Sequence, residues 1–123
     1  MSISNYLELK ILDKVFRNTD FTVSSRYVSL HTADLGETGA SEVSGGSYAR
    51  QSASFDVASG GATANSGALT WTAMPAATIT HVGIWDALTS GNFLWGGALT
   101  ASKVVGSGDT FQINTGDLDV SID

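Results

Sequence analysis

The chain of 123 residues contains no cysteine, a single proline and only six basic residues. The absence of cysteine excludes a disulfide framework, a thiolate zinc site and a thiol nucleophile. No apolar run approaches the roughly 18 to 20 residues that span a bilayer, and the N-terminus lacks the basic, apolar and small-residue order of a signal peptide. We therefore expect one domain over residues 1–123, with no membrane association and no secretion by that route.

Basic residues are especially scarce in the second part of the chain. Residues 51–123 hold six acids against Lys103 alone, and the formal net charge is −6. Such a surface repels phosphate backbones, and no cluster of Lys or Arg interleaves with aromatic residues, so nucleic acid is not an expected partner. Charged residues make up only 15% of the chain, which is low for a surface that faces water on all sides. We therefore expect a homo-oligomer, or a surface covered in part by partners.

One amphipathic helix is predicted near the N-terminus, over residues 3–17. Its apolar residues recur every four positions and form a stripe, which is made of Ile3, Leu7, Ile11 and Val15 and is widened by Leu12 and Phe16. Ser2 or Ser4 can cap the start, and Asn18 suits the exit. We expect the stripe to pack on the sheet of its own chain; docking on a neighbouring subunit is the alternative.

The apolar period changes to two after residue 26, as it does in β-strands. The predicted strands are residues 26–32, 47–58, 68–73, 78–87, 92–99, 110–114 and 117–123. Short strands between Gly-rich turns predict a mainly β fold, an antiparallel β-sandwich or jelly-roll-like barrel of about seven strands with one N-terminal α-helix. Residues 59–67, SGGATANSG, are expected to be a flexible connection.

The longest irregular segment is TADLGETGASEVSGG, residues 32–46, with three acids and four glycines. We expect an exposed loop, and loops of this length in compact domains are usually functional or flexible. It is a candidate contact with neighbouring molecules. The candidate subunit interface comprises Leu35, Glu37, Glu42 and Val43, together with Tyr48 and Arg50, which follow the loop.

Residues 81–99, HVGIWDALTSGNFLWGGAL, gather rare residues that raise the question of an active site. Side chains alternate on a strand, so His81 and Asp86 point to opposite faces and form no dyad unless a bulge intervenes. His31 can approach His81 across strands, but two histidines without a placed carboxylate or thiolate make a weak metal site. No serine lies in a G-x-S-x-G elbow. We expect no catalytic residue, no cofactor and no metal site.

The tryptophans are the other candidates for function. LTSGN, residues 88–92, is predicted to connect a hairpin, which would bring Trp85 and Trp95 to the same face. Packing in the core or in a cross-strand aromatic pair is the favoured interpretation. The alternative is an exposed aromatic contact for a sugar or a partner subunit, formed by Trp71, Trp85 and Trp95.

Several motifs along the chain resemble those of a known family. They are SNYLELKILDKVF (4–16), EVSGGSYARQ (42–51), THVGIWDA (80–87), GNFLWGGAL (91–99), K-x-V-x-S-G-D-T-F (103–111) and GDLDVSID (116–123). Together they resemble short bacteriophage virion structural proteins that are often described as tail fibre proteins. The resemblance covers nearly the full length of the chain.

The resemblance implies a non-enzymatic β-sandwich component of the virion, assembled in the host cytoplasm, whose partners are the major capsid protein or tail proteins. The chain has no coiled-coil or collagen period that would build a shaft. This favours a head decoration (cement) protein that binds the outside of the capsid and stabilises it. The alternative is a tail or tail-fibre component, with a carbohydrate-binding module for host recognition as one form of it.

Overall fold

Nine strands and one helix form the described part of the chain, residues 2–122 of a computed structural model. In chain order they are β1 (Ser2–Ile3), α1 (Asn5–Arg17), β2 (Tyr27–His31), β3 (Gln51–Ser52), β4 (Ala62–Ala64), β5 (Leu69–Trp71), β6 (Ala77–Trp85), β7 (Phe93–Val105), β8 (Phe111–Ile113) and β9 (Asp119–Ser121). Strand accounts for 38% of the chain and helix for 11%. The prediction of a mainly β fold with one N-terminal helix is confirmed.

The strands form one large sheet and two small ones, and every pairing is antiparallel. The five-stranded sheet has the order β1-β7-β6-β2-β3, while β4 pairs with β9 and β5 pairs with β8. The arrangement is sandwich-like and does not close into a barrel. Residues 59–67, predicted as a flexible connection, contain β4, and this prediction is wrong because Ala62–Ala64 pair with β9. Most of the predicted strand 47–58 is irregular, since only Gln51–Ser52 belong to a strand.

Helix α1 starts two residues later than predicted. Ser4 is the N-cap and its Oγ accepts a hydrogen bond from Leu7 N–H at 3.2 Å, because the preceding residues extend as β1 and pair with Trp95 and Gly96 of β7. Asn18 ends the helix in the left-handed region with φ of 52°, as expected for a C-terminal cap. No helix among residues 2–122 is long and apolar enough to cross a membrane.

The apolar stripe of α1 packs only in part on the sheet of its own chain. Tyr6 and Leu7 pack against the core, but Leu12, Val15 and Phe16 are exposed. The expectation that the whole stripe packs on its own sheet is therefore wrong for the second half of the helix. The helix is fixed to the sheet at its start, where Ser4 N–H donates to the Leu94 carbonyl at 2.8 Å.

The core lies on both faces of the large sheet. The main cluster fills the space between this sheet and the short strand pairs, and it includes Trp71, Met74, Ile79 and Trp95. A second cluster of Leu35, Trp85 and Phe93 lies on the opposite face, because Ile84 and Trp85 are consecutive in β6 and Ile84 belongs to the main cluster. Strand β2 is therefore buried on both faces, with Val28 and Leu30 on one and Ser29 and His31 on the other.

Candidate functional site

The loop of residues 32–46 packs against the large sheet, with Leu35 in the cluster of the second face and Val43 in the main core. Leu35 and Val43 are buried, and Val43 N–H donates to the Leu30 carbonyl of β2 at 2.9 Å. Leu35 lies in the small cluster with Trp85 and Phe93, whose side chains cover this face. The expectation of an exposed loop is wrong at Leu35 and Val43, because each provides apolar surface that removes sheet residues from water.

Gly39 allows the loop to approach the tryptophan below it. Its φ is +74°, and a Cβ atom added there would overlap the ring atom Cζ2 of Trp85. Gly39 N–H and Ala40 N–H both donate to the Leu35 carbonyl, at 3.1 and 2.9 Å. A residue without a side chain is therefore required at position 39, both for the backbone conformation and for the contact.

Arg50 joins this loop to the hairpin turn between β6 and β7. Its Nε and Nη2 donate to the two carboxylate oxygens of Glu42 at 3.0 and 2.9 Å, and its Nη1 donates to the carbonyls of Ala87 and Ser90, both at 2.9 Å. The guanidinium lies 3.9 Å from the ring centroid of Trp85. A buried, bidentate and stacked arginine holds the groups around it in one geometry.

Tyr48 adds a second donor to Glu42. Its hydroxyl donates to Glu42 Oε2 at 2.7 Å and accepts from Leu30 N–H of β2 at 3.0 Å. Burial alone would raise the pKa of Glu42, but the hydrogen bonds from Arg50 and Tyr48 outweigh it and hold that pKa below its usual value. Burial raises the pKa of Tyr48, and its bond to the Glu42 carboxylate acts in the same direction. Glu42 is therefore an ionised carboxylate that accepts hydrogen bonds from two protonated donors, Arg50 and Tyr48.

His31 continues this polar network on the same face. Trp85 Nε1–H donates to Ser29 Oγ at 2.8 Å, and Ser29 Oγ lies 2.6 Å from His31 Nε2. His31 Nδ1 lies 2.7 Å from the Ala40 carbonyl, which can only accept, so we assign the proton of a neutral imidazole to Nδ1. Burial lowers the pKa of His31, which favours this neutral form.

His81 and Asp86, the pair that first raised the question of catalysis, do not meet. His81 stands opposite His31 in the sheet register, and its Nδ1 lies 2.8 Å from Thr80 Oγ1. Asp86 lies beyond the end of β6, where its carboxylate accepts from the backbone and side-chain nitrogens of Asn92 at 2.7 and 2.8 Å. Through these two bonds Asp86 fixes the hairpin turn. Within residues 2–122 no group of three or more His, Cys, Asp or Glu side chains is placed to hold a metal.

The prediction that Trp85 and Trp95 share a face is wrong. Trp85 pairs with Phe93, whereas Trp95 pairs with Ile84, because a β-bulge shifts the register between Ile84 and Trp85. Trp85 therefore contacts Phe93, with ring centroids 5.3 Å apart, and Trp95 enters the main core. Core packing, the favoured interpretation for Trp85 and Trp95, is confirmed, and Trp71 is buried as well. None of the three offers an exposed ring face.

Most candidate interface residues come together in the loop site. Leu35, Glu42, Val43, Tyr48 and Arg50 are the residues that tie the loop to the sheet. Glu37 lies apart from them, where its carboxylate accepts from Asn5 N–H at the start of α1 at 2.8 Å. Leu35, Val43 and Arg50 are buried within the chain itself, so their side chains support the loop from beneath.

Asn65 is an organising residue that the sequence analysis missed. It is fully buried, and its amide donates to the carbonyls of Gly67 and Asn114 at 2.8 and 3.0 Å and accepts from Leu118 N–H at 2.9 Å. These bonds hold the connection after β4 against the segment between β8 and β9. A lone asparagine in a Gly- and Ser-rich stretch carries no sequence signal for such a role.

The polar side chains of the site bond to one another and to the backbone of neighbouring loops. Such an arrangement is typical of a structural module, in which rigidity of the loops is the property maintained. Comparison with known families agrees with this class. A family model described as Podophage GP4 fiber I protein gp80 matches residues 2–121. The chain belongs to this family and is a bacteriophage virion structural protein. A comparison with curated proteins gives no match.

Proposed function

We propose that this protein is a structural component of the phage tail-fibre apparatus, where it associates with other virion proteins. The observation that carries the proposal is the family match over residues 2–121, whose description names a fibre protein. A small β fold can host many functions, so the proposal rests on the family match and not on the fold. The tail-fibre alternative of the sequence analysis is therefore favoured over its main interpretation.

Head decoration was the main expectation, and the family match does not support it. That expectation came from the lack of a shaft-forming repeat. This absence does not separate the two locations, since a small module without a repeat can also join or terminate a fibre. We retain capsid decoration only as the competing outcome of the experiment below.

The tryptophans do not support the hypothesis of a carbohydrate-binding module. Sugar recognition by stacking needs an aromatic face open to the ligand, and the three tryptophans are buried. The proposal therefore concerns assembly, and the loop of residues 32–46 is its candidate contact surface. Glu37 is exposed and its carboxylate accepts from Asn5 N–H at the start of α1, while the Arg50–Glu42 ion pair holds the end of the loop.

A rigid loop serves assembly because a surface that is already ordered loses little conformational entropy on binding. Arg50 contributes most to this order, since it bonds at once to Glu42 and to the carbonyls of Ala87 and Ser90. We also propose that copies of this protein form a homo-oligomer, because the proportion of charged residues is low for a surface that faces water on all sides.

Immunogold electron microscopy of purified phage particles tests the proposal. Antibodies against the isolated protein should label the tail or its fibres. Label distributed over the capsid would replace the proposal with head decoration. Particles that carry no label under conditions where a known virion protein is labelled would remove the assignment to the particle altogether.

A further inference from the structure

The outer part of the loop, residues 33–40, is joined to the rest of the chain less firmly than its base; we call these residues the loop tip. The base is closed by Thr32 N–H, which donates to the Ser41 carbonyl at 3.1 Å. Within residues 2–122, no backbone–backbone hydrogen bond connects the tip to another segment. The tip can therefore lift from the sheet without breaking a strand pairing, as a local opening of a compact loop whose ends are close together.

Three contacts hold the tip in place. The Glu37 carboxylate accepts from Asn5 N–H in an exposed hydrogen bond. Leu35 fills the small apolar cluster on the second face of the sheet. The third contact is polar and buried at its lower end, where His31 Nδ1 lies 2.7 Å from the Ala40 carbonyl. An imidazole that can change its charge near neutral pH therefore lies directly beneath the tip.

Leu35 of the tip also helps to seal His31 from water. A Cβ atom added at Gly83 of β6 would lie 2.7 Å from both Leu35 Cδ2 and Ser29 Oγ, and 3.0 Å from His31 Nε2. The three side chains thus meet over one glycine, and a space too small for a methyl group does not admit a water molecule. His31 is 0% exposed while the tip is closed.

The hydrogen bonds of His31 suit the neutral imidazole alone. Its Nε2 lies 2.6 Å from Ser29 Oγ, and the same oxygen accepts from Trp85 Nε1–H at 2.8 Å. A second proton on Nε2 would present Ser29 Oγ with two N–H donors and would leave the serine hydroxyl hydrogen without its acceptor. When the tip lifts, water can hydrate a charged imidazole, so the open form binds a proton more readily than the closed form.

The other titratable and charged groups around His31 do not reverse this preference. They are Glu42, Tyr48, Arg50, His81 and, on the tip, Asp34. Glu42 favours a charged His31, while Arg50 and His81 oppose it; burial has the largest effect, and the pKa of His31 is lowered. The pKa of Glu42 and that of Asp34 lie below their ordinary values, and burial raises that of Tyr48, so these three keep their charge state from about pH 5 to 7.5.

We propose that the loop tip is an acid-released cover, which lifts below about pH 6.5 while the rest of the fold stays closed and which uncovers His31 and the apolar cluster of Leu35, Trp85 and Phe93. Opening is coupled to the uptake of one proton, so the open fraction rises by up to about ten-fold for each pH unit below that value. The inference goes beyond the proposed function and does not depend on where the protein lies in the particle.

Thiol labelling of single-cysteine variants of the full chain measures the opening, because the chain has no cysteine of its own. Leu35→Cys reports on the tip. Val43→Cys is the matched control, since Val43 is buried in the main core just beyond the base of the loop. Glu37→Cys, at an exposed position of the tip, supplies the reference rate at each pH and corrects for the ionisation of the thiol itself.

The rates of reaction with dithiodipyridine are compared from about pH 7.5 to pH 5. Relative to the reference, labelling of Leu35→Cys should accelerate by up to about ten-fold per pH unit below 6.5, and labelling of Val43→Cys should stay slow and unchanged. Adding His31→Asn to Leu35→Cys should abolish the acceleration. Adding His81→Asn should preserve most of it, because His81 is partly exposed with the tip closed.

Three results would each overturn the proposal. They are a Leu35→Cys rate that does not change with pH relative to the reference, an equal acceleration at Val43→Cys, and an acceleration that survives His31→Asn. The second result would mean that acid unfolds the whole domain. The comparison of positions 35 and 43 uses chains that keep His31, so it decides the proposal even where His31→Asn does not fold. None of these results bears on the tail assignment, which depends on where the protein is labelled in particles.

Discussion

The guanidinium of Arg50 lies 3.9 Å from the ring centroid of Trp85, and the same group forms two hydrogen bonds to the carboxylate of Glu42. Trp85 belongs to β6, while Glu42 belongs to the loop that covers that strand's outward face. One side chain therefore connects the sheet, the covering loop and the following hairpin turn. The stability of the whole second face should depend on it.

Replacement of Arg50 tests this dependence. Arg50→Ala leaves Glu42 partly buried without its cation and leaves the carbonyls of Ala87 and Ser90 without a donor, so we expect a loss of about 2 to 4 kcal/mol in the free energy of unfolding. Arg50→Lys keeps the charge but not the bidentate geometry, so its free energy of unfolding should lie between those of the wild type and Arg50→Ala. Urea unfolding measures both. Arg17→Ala is the control, since the Arg17–Asp13 pair is exposed, and its effect should stay within about 0.5 kcal/mol.

Acid should destabilise the protein in two stages. The ordinary pKa of histidine is 6.5, and burial lowers that of His31 in the folded chain, so the unfolded chain binds a proton more readily. Stability from this group is complete above pH 6.5 and is lost as pH falls from 6.5 toward the lowered pKa, with a slope of at most about 1.4 kcal/mol per pH unit. Glu42, whose pKa is held below its ordinary 4.5, adds a second loss below that value.

His31→Asn provides the check on the first stage. Urea unfolding of the wild type and of this variant should be compared at several values between pH 7.5 and pH 5. The variant should be less stable at neutral pH and should lack the slope just below pH 6.5. An identical slope in both proteins would mean that another group causes the loss.

Two glycines separate the effect of conformation from that of contact. Gly39 and Gly60 have φ of +74° and +62°, but an added Cβ overlaps Trp85 at Gly39 and meets open space at Gly60. Gly60→Ala should therefore cost about 1 kcal/mol for the left-handed conformation alone. Gly39→Ala should cost at least about 2 kcal/mol more, because the loop must move off Trp85. Equal losses in thermal unfolding would show that the loop does not rest on the tryptophan.

Asn65 should be the most sensitive polar position of the small sheets. Asn65→Ala removes three hydrogen bonds and leaves the carbonyls of Gly67 and Asn114 and the N–H of Leu118 without their partner, so we expect a loss of about 2 to 4 kcal/mol. Gln112→Ala, an exposed amide on β8, should change stability by less than about 0.5 kcal/mol. Chemical unfolding of the two variants side by side measures the difference.

The strands that sequence alternation predicted best are those with an apolar face on the main core. Val28 and Leu30 in β2 and Val82 and Ile84 in β6 belong to that core, and their segments were predicted nearly to their true bounds. Alternation could not show that Ser29 and His31 are buried as well. Their burial depends on a loop that arrives from later in the chain, and a local pattern does not contain that contact.

The candidate subunit interface stays a prediction, because the contacts of its residues shown here lie within one chain. Glu42, Tyr48 and Arg50 were named as an interface, and the structure joins them by hydrogen bonds within one chain. The orientation of Trp95 was missed because a single bulge reverses every side chain beyond it. The amphipathic pattern of α1 correctly predicted a helix, but periodicity alone does not say which surface an apolar stripe meets.

The copy number of the protein per particle tests the central claim most directly. Quantitative mass spectrometry of purified virions, referenced to the major capsid protein, should give a few to a few dozen copies, as expected for a component of the tail-fibre apparatus. The protein should also remain with tails separated from heads. Hundreds of copies that follow the capsid fraction would contradict the account and identify a head decoration protein.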